Sequence, residues 1–296
     1  MSFNQKIIYT SFFIITLILG SGALYYKKTH TRQYAPIPPR PEVTLTIIPG
    51  WNLRQVADYL VKQGFASSTE DVYVYTGKPA VPLGPSAAFE TVNLEGFLAP
   101  ETYRVFKDAS LQDVITKLSQ QRSRELDNIA TGNLLTYEIF KNVSLDQLIT
   151  KLSEQRNKEL GIKSSGVGYD RNIVLTMASL VEKEARTEQD RKMVAGILWR
   201  RAYNGWALQL DSTVHYAVDR SGDVFTTDKE RDVNSPWNTY KYPGLPPTPI
   251  ANPGLESINA VINPEKNNYW YFLSGKDGQM YYAKTLDEHN LNKRKL

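Results

Sequence analysis

Cysteine is absent from the 296 residues. That excludes disulfide staples, thiolate nucleophiles and cysteine metal sites, and it leaves the compartment open. Acidic residues are absent from residues 1–32, which hold Lys6, Lys27, Lys28 and Arg32. Of 35 basic and 31 acidic residues, the chain beyond residue 32 therefore keeps 31 of each. With no basic excess there, it lacks the electrostatic footprint of a nucleic-acid binder. A phosphate cradle with a placed lysine is also missing, which argues against pyridoxal-phosphate chemistry. What remains is ordinary globular material, 41% hydrophobic and 22% charged, long enough to bury a core.

Charge is also missing from residues 7–26. Twenty residues in a helix rise about 30 Å, the thickness of a bilayer core. Tyr25 and Tyr26 precede Lys27 and Lys28, the order expected at a membrane interface. The segment is expected to be a transmembrane helix, with residues 1–6 as a short tail. A cleaved signal peptide is the alternative, because Ser21, Gly22 and Ala23 are small. Residues 33–42 carry four prolines in ten positions, so 27–42 is expected to be a stiff linker.

Residues 43–90 suggest a small α/β module. VTLTII at 43–48 has strand composition, and Pro49-Gly50 marks a turn. Asn52 is placed to cap a helix with Leu53, Val56, Ala57 and Leu60 on one face. Ser68 and Asp71 form a second capping box. A strand followed by two short helices resembles a LysM-like sugar-binding module. Residues 103–126 and 137–160 are an internal repeat at an offset of 34, identical at 14 of 24 positions. Two copies are too few for a solenoid, so 127–160 reads as a duplicated helical insert with a structural role.

The helix expected over 171–186 carries two glutamates. With Met177 at zero on a wheel of about 100° per residue, Ile173, Val174, Leu180 and Val181 lie within about 60°. Glu184 falls at about −20°, inside the apolar arc, whereas Glu182 falls at about +140°, toward water or a polar neighbour. A carboxyl directed at the core is costly to ionise, so its pKa should rise and suit a general acid. The alternatives are a helix that ends at 183, or a Glu184 paired with an arginine such as Arg191.

Farther on come LQLDSTVHYA (208–217), SPWNTYKYPGLPPTPIANPG (235–254) and a hairpin pattern with strands at 269–273 and 279–283. Together with LEGFLAPETY (94–103), MASLVEKEA (177–185) and DEHN (287–290), these motifs resemble, in order and spacing, the endolytic murein transglycosylases of the MltG/YceG-like family. Ala99, Thr248 and Met280 depart from the usual pattern. The resemblance implies an α+β protein: an N-terminal transmembrane helix, a LysM-like module at 43–90, and a mixed α+β catalytic domain at 91–296 carrying the extra helix. It implies Glu184 as the catalytic residue, with Glu95, Gln209, Asp211, Asn238 and Tyr240 lining a glycan cleft. The implied activity is lytic cleavage of peptidoglycan glycan strands outside the cytoplasmic membrane, with 1,6-anhydro ends and no metal or cofactor. The implied partners are glycan strands and the membrane, with cell-wall synthases as candidates. Two rivals stay open. A lysozyme-like hydrolase would need a second carboxylate such as Asp211 or Asp190; a non-catalytic scaffold would only bind the wall.

Overall fold

The computed structural model describes residues 3–30, 39–79, 93–131, 138–140, 143–144, 171–220, 226–276 and 278–295. Two compact units result, 1–41 and 42–296. The first contains helix α1 (Phe3–His30), whose side chains are described over residues 14–27. Among the described residues, no helix is long and apolar enough to cross a membrane. The expected span over 7–26 is therefore corrected to a helix that is not a span. Thr16, Gly20, Ser21 and Gly22 dilute the apolar character of its described stretch.

The second unit is α+β and has two hydrophobic cores. Strand β1 (Glu42–Thr46), helices α2 (Leu53–Lys62) and α3 (Thr69–Thr76) and strand β2 (Thr102–Phe106) succeed one another. The two strands pair antiparallel, with Leu45 opposite Tyr103. β2 lies beyond residue 90, in residues that the sequence pattern assigns to the following domain. Asn52 and Ser68 each form a capping box, with Gln55 and Asp71. Leu53, Val56, Ala57 and Leu60 of α2 are all buried. They meet Leu45, Val105 and the first turns of α4 (Leu111–Thr131), through Val114, Ile115 and Leu118.

In the second repeat copy, strands β3 (Glu138–Phe140) and β4 (Val143–Ser144) pair antiparallel, and β3 stands at the register of β2. The helix expected at 145–160 lies outside the described residues.

The larger core gathers around α5 (Arg171–Glu184), α6 (Glu188–Tyr203) and α9 (Leu255–Ile262). Nine consecutive residues of α5, from Ile173 to Val181, are buried. The helix is thus enclosed on every side rather than half-buried on one arc. Short helix α7 (Asp211–Ala217) meets its C-terminal end through Ser212, the loop 235–254 bonds to Ser179 and Glu182, and helix α8 (Asp228–Arg231) is tied to α7 by Arg231 and Asp211. Strands β5 (Tyr271–Ser274) and β6 (Met280–Ala283) form the expected antiparallel hairpin, followed by α10 (Leu286–Lys293).

The motifs lock to one another. Gly96 has a φ of +83°, and a Cβ there would lie 2.6 Å from Pro249, so only glycine lets LEGF approach PTPI. Asn252 accepts from Leu98 N at 3.0 Å and donates to Trp51 O at 3.0 Å. One side chain thus ties the loop 249–254 to both the module and the LEGF turn.

Candidate functional site

Glu184 is the last residue of α5. Ser212, in the first turn of α7, donates from Oγ to its Oε1 at 2.6 Å. Part of Glu184 remains accessible, although protein atoms crowd it closely. Burial raises its pKa to about 7; Ser212 and Arg201 oppose that rise, and the negative charge of Asp211 adds to it. A carboxyl titrating there is divided between acid and base near neutrality, so it can both give and recover a proton.

Asp211 adjoins Ser212 on α7. Its Oδ1 accepts from Tyr240 Oη at 2.6 Å and from Thr226 Oγ1, and Arg231 stands 3.7 Å away. Tyr240 lies under the Arg231 guanidinium, 5.2 Å from its ring centre. Burial and then Asp211 hold the phenol well above its usual pKa, and Glu184 contributes to the same shift. Glu184, Asp211 and Tyr240 therefore share one electrostatic neighbourhood.

Gln209 is exposed beside it and adopts a φ of +53°. That left-handed backbone costs a non-glycine residue about 1–2 kcal/mol, and such strain concentrates at functional sites. The turn is secured by Gln209 N donating to Thr239 O at 3.1 Å and Leu210 N donating to Thr239 Oγ1 at 3.0 Å.

Two of the expected cleft residues are fully buried. Glu95 is 0% exposed. Its Oε1 accepts from Leu53 N at 2.9 Å and its Oε2 from Tyr216 Oη at 3.0 Å. It caps α2 and ties the module to α7, and burial raises its pKa to about 7. Asn238 is also 0% exposed. Its amide donates to Arg231 O at 2.8 Å and Val233 O at 2.9 Å while accepting from Tyr240 N at 3.0 Å. It holds the loop that carries Tyr240 and offers no surface to a cleft.

Glu182 has the polar neighbours that its direction allows. Its Oε2 accepts from Gly254 N at 3.0 Å and Ser257 Oγ at 2.7 Å, and Arg191 reaches Oε1 at 3.4 Å. Arg191 thus serves Glu182 and Glu256, and the alternative that paired it with Glu184 falls away.

Sequence reasoning missed Ser212, Thr239 and Arg201. Arg201, 6% exposed, donates to Trp270 O at 2.8 Å and to Leu208 O at 2.5 Å. Its guanidinium faces the rings of Trp206 and Tyr271 at 5.6 and 5.7 Å. Its charge is felt by Glu184. A buried arginine near an apolar helix end leaves no local signature. Ser212 had one, since it adjoins Asp211 in LQLDSTVHYA. Thr248, where the family pattern has glycine, accepts from Trp237 Nε1 at 3.2 Å. Among the described residues, no three His, Asp or Glu side chains are grouped to hold a metal ion.

The fold and site define an α+β protein with a closely surrounded, protonatable carboxyl at the end of a central buried helix, held by the first turn of α7. The chain belongs to the YceG-like family, which it matches over residues 28–295. It is 31% identical over 263 residues to a protein of Bacillus subtilis named endolytic murein transglycosylase, covering 85% of this chain and 64% of the relative. A protein of the same name from Streptococcus pneumoniae is 32% identical over 273 residues, covering 84% of this chain and 44% of the relative. The chain thus spans less than two thirds of either relative. The crystal structure of a yceG-like protein from Listeria monocytogenes superposes with a TM-score of 0.63 at 31% identity, over 86% of this chain and 76% of that one.

Proposed function

We propose that the protein is an endolytic murein transglycosylase that cleaves peptidoglycan glycan strands outside the cytoplasm, with Glu184 as its one acid/base group. The observation that carries this reading is the Glu184 carboxyl, held by Ser212 at 2.6 Å and raised by burial to about 7. The names of the relatives in Bacillus subtilis and Streptococcus pneumoniae support the substrate class.

In this reaction the bond between C1 of N-acetylmuramic acid and the oxygen of N-acetylglucosamine breaks, and Glu184 protonates the departing oxygen. The muramic C6 hydroxyl then attacks C1 and closes a 1,6-anhydro ring. Its proton returns to Glu184, so no water is consumed and the enzyme is restored. The intramolecular hydroxyl replaces water through its high effective concentration.

Asp211 favours this lytic course over hydrolysis. Tyr240, Thr226 and Arg231 already surround its carboxylate, which leaves it poorly suited to activate water. Asp190 is similarly engaged by Tyr282 at 2.6 Å and Thr187 at 2.6 Å. Tyr240, Asp211 and exposed Gln209 are the polar groups we assign to the glycan cleft. The β1–α2–α3–β2 order supports a LysM-like module that presents the strand to it.

Mass spectrometry of digested glycan strands tests the proposal. Anhydro-muramic ends are expected; reducing ends would indicate a hydrolase, and uncut strands a wall-binding scaffold. Either of the last two refutes it.

A further inference from the structure

Ser212 is committed to Glu184 in a way that α7 itself does not require. The helix begins after Leu210, which makes no side-chain cap hydrogen bond. The hydroxyl of Thr213 is engaged inside the turn, donating to Leu210 O at 2.6 Å and meeting Thr239 Oγ1 at 2.9 Å. The Ser212 hydroxyl instead crosses to Glu184 Oε1, 28 residues back in the chain.

We propose that Ser212 is a positioning residue that assigns the two oxygens of Glu184, keeping Oε1 as the acceptor and leaving the transferable proton on Oε2. This rests on the reading of Glu184 as the acid/base group. A proton on Oε1 would turn this contact round and make Ser212 Oγ the acceptor, so while Ser212 donates the proton must sit on the other oxygen. The proton is thereby held on Oε2, the oxygen left for substrate.

The same contact tunes acidity. A hydrogen bond from Ser212 stabilises the carboxylate more than the acid, so it works against burial. The charged and titratable groups facing Glu184 are Asp211 on α7, Arg201 on α6 and Tyr240 on the loop 235–254. Lys183, the neighbour in sequence, faces Glu95 and Glu182 instead. Asp211 and Arg201 act in opposite senses, which leaves Ser212 as the uncharged influence that also sets geometry.

The test is the pH profile of glycan cleavage by the full chain carrying substitutions at 212. In Ser212→Ala, kcat should fall about 10- to 100-fold, as expected for the loss of a hydrogen bond to a charged group, while KM changes little. The alkaline limb should move up by about one pH unit, because Glu184 loses a donor that favours its ionised form. Ser212→Thr keeps the hydroxyl and should recover most of the rate and the original limb. Ser212→Val matches threonine in shape and should behave like alanine, so the Thr/Val pair carries the test even if alanine disturbs folding. An unmoved alkaline limb in the alanine or valine variant, or a threonine variant no better than valine, overturns the proposal. Glu184→Gln in the same assay separates the two levels. If that variant is active, the reading of Glu184 itself fails; if it is inactive while Ser212→Val matches wild type, only the role of Ser212 fails.

Discussion

Glu184→Gln is the most informative single change because activity and stability should move in opposite directions. Glutamine keeps the shape and still accepts from Ser212 Oγ, but it cannot give and recover a proton. Loss of general acid–base chemistry costs about 10²–10⁴ in rate, and the upper end is expected where one group serves both transfers. For stability, burial raises the Glu184 pKa from 4.5 to about 7. A carboxyl whose folded pKa lies above its unfolded value stabilises the fold fully below about pH 4.5 and loses that contribution as pH rises through 7. A shift of this size corresponds to on the order of 3 kcal/mol at alkaline pH. The glutamine variant avoids that loss. Its melting temperature should therefore match wild type near pH 4 and exceed it by several degrees at pH 8. Thermal melts across this range, beside mass spectrometry of glycan digests, check both halves. A variant that forms anhydro ends at wild-type rate, or melts below wild type at pH 8, would refute the assignment.

The other perturbations separate support from chemistry. Glu182→Gln should cost about 1–3 kcal/mol, because the glutamine NH2 must face a donor in either orientation, Gly254 N or Arg191; denaturant titration measures the loss, and the folded variant should still cut glycan. Asp211→Asn should depress activity and move the alkaline limb down, since the negative charge of Asp211 raises the Glu184 pKa. An upward move would contradict that coupling. Asn238→Ala strands two carbonyl groups, Arg231 O and Val233 O, and should lower stability by about 1–3 kcal/mol in a melting experiment.

Local patterns were legible where the physics is local. The caps at Asn52 and Ser68 need only residues three positions apart, and the apolar stripe of α2 and the hairpin of β5 and β6 follow from periods of about 3.6 and 2. The direction of Glu184 on α5 was likewise set by helical rotation. It did not depend on the wheel's premise of a half-buried helix, which the enclosure of Ile173–Val181 removes.

Partnerships across the chain were decided only by the tertiary structure. Glu182 meets Gly254 and Ser257, Glu95 meets Leu53 and Tyr216, and Glu184 meets Ser212. All are distant in sequence, and no periodicity encodes them. Charged and polar residue types announced that these positions matter, but type alone cannot say whether a buried carboxyl caps a helix, clamps a loop or carries a proton. Desolvation and hydrogen-bond partners make that decision, and both exist only once the chain has closed around them.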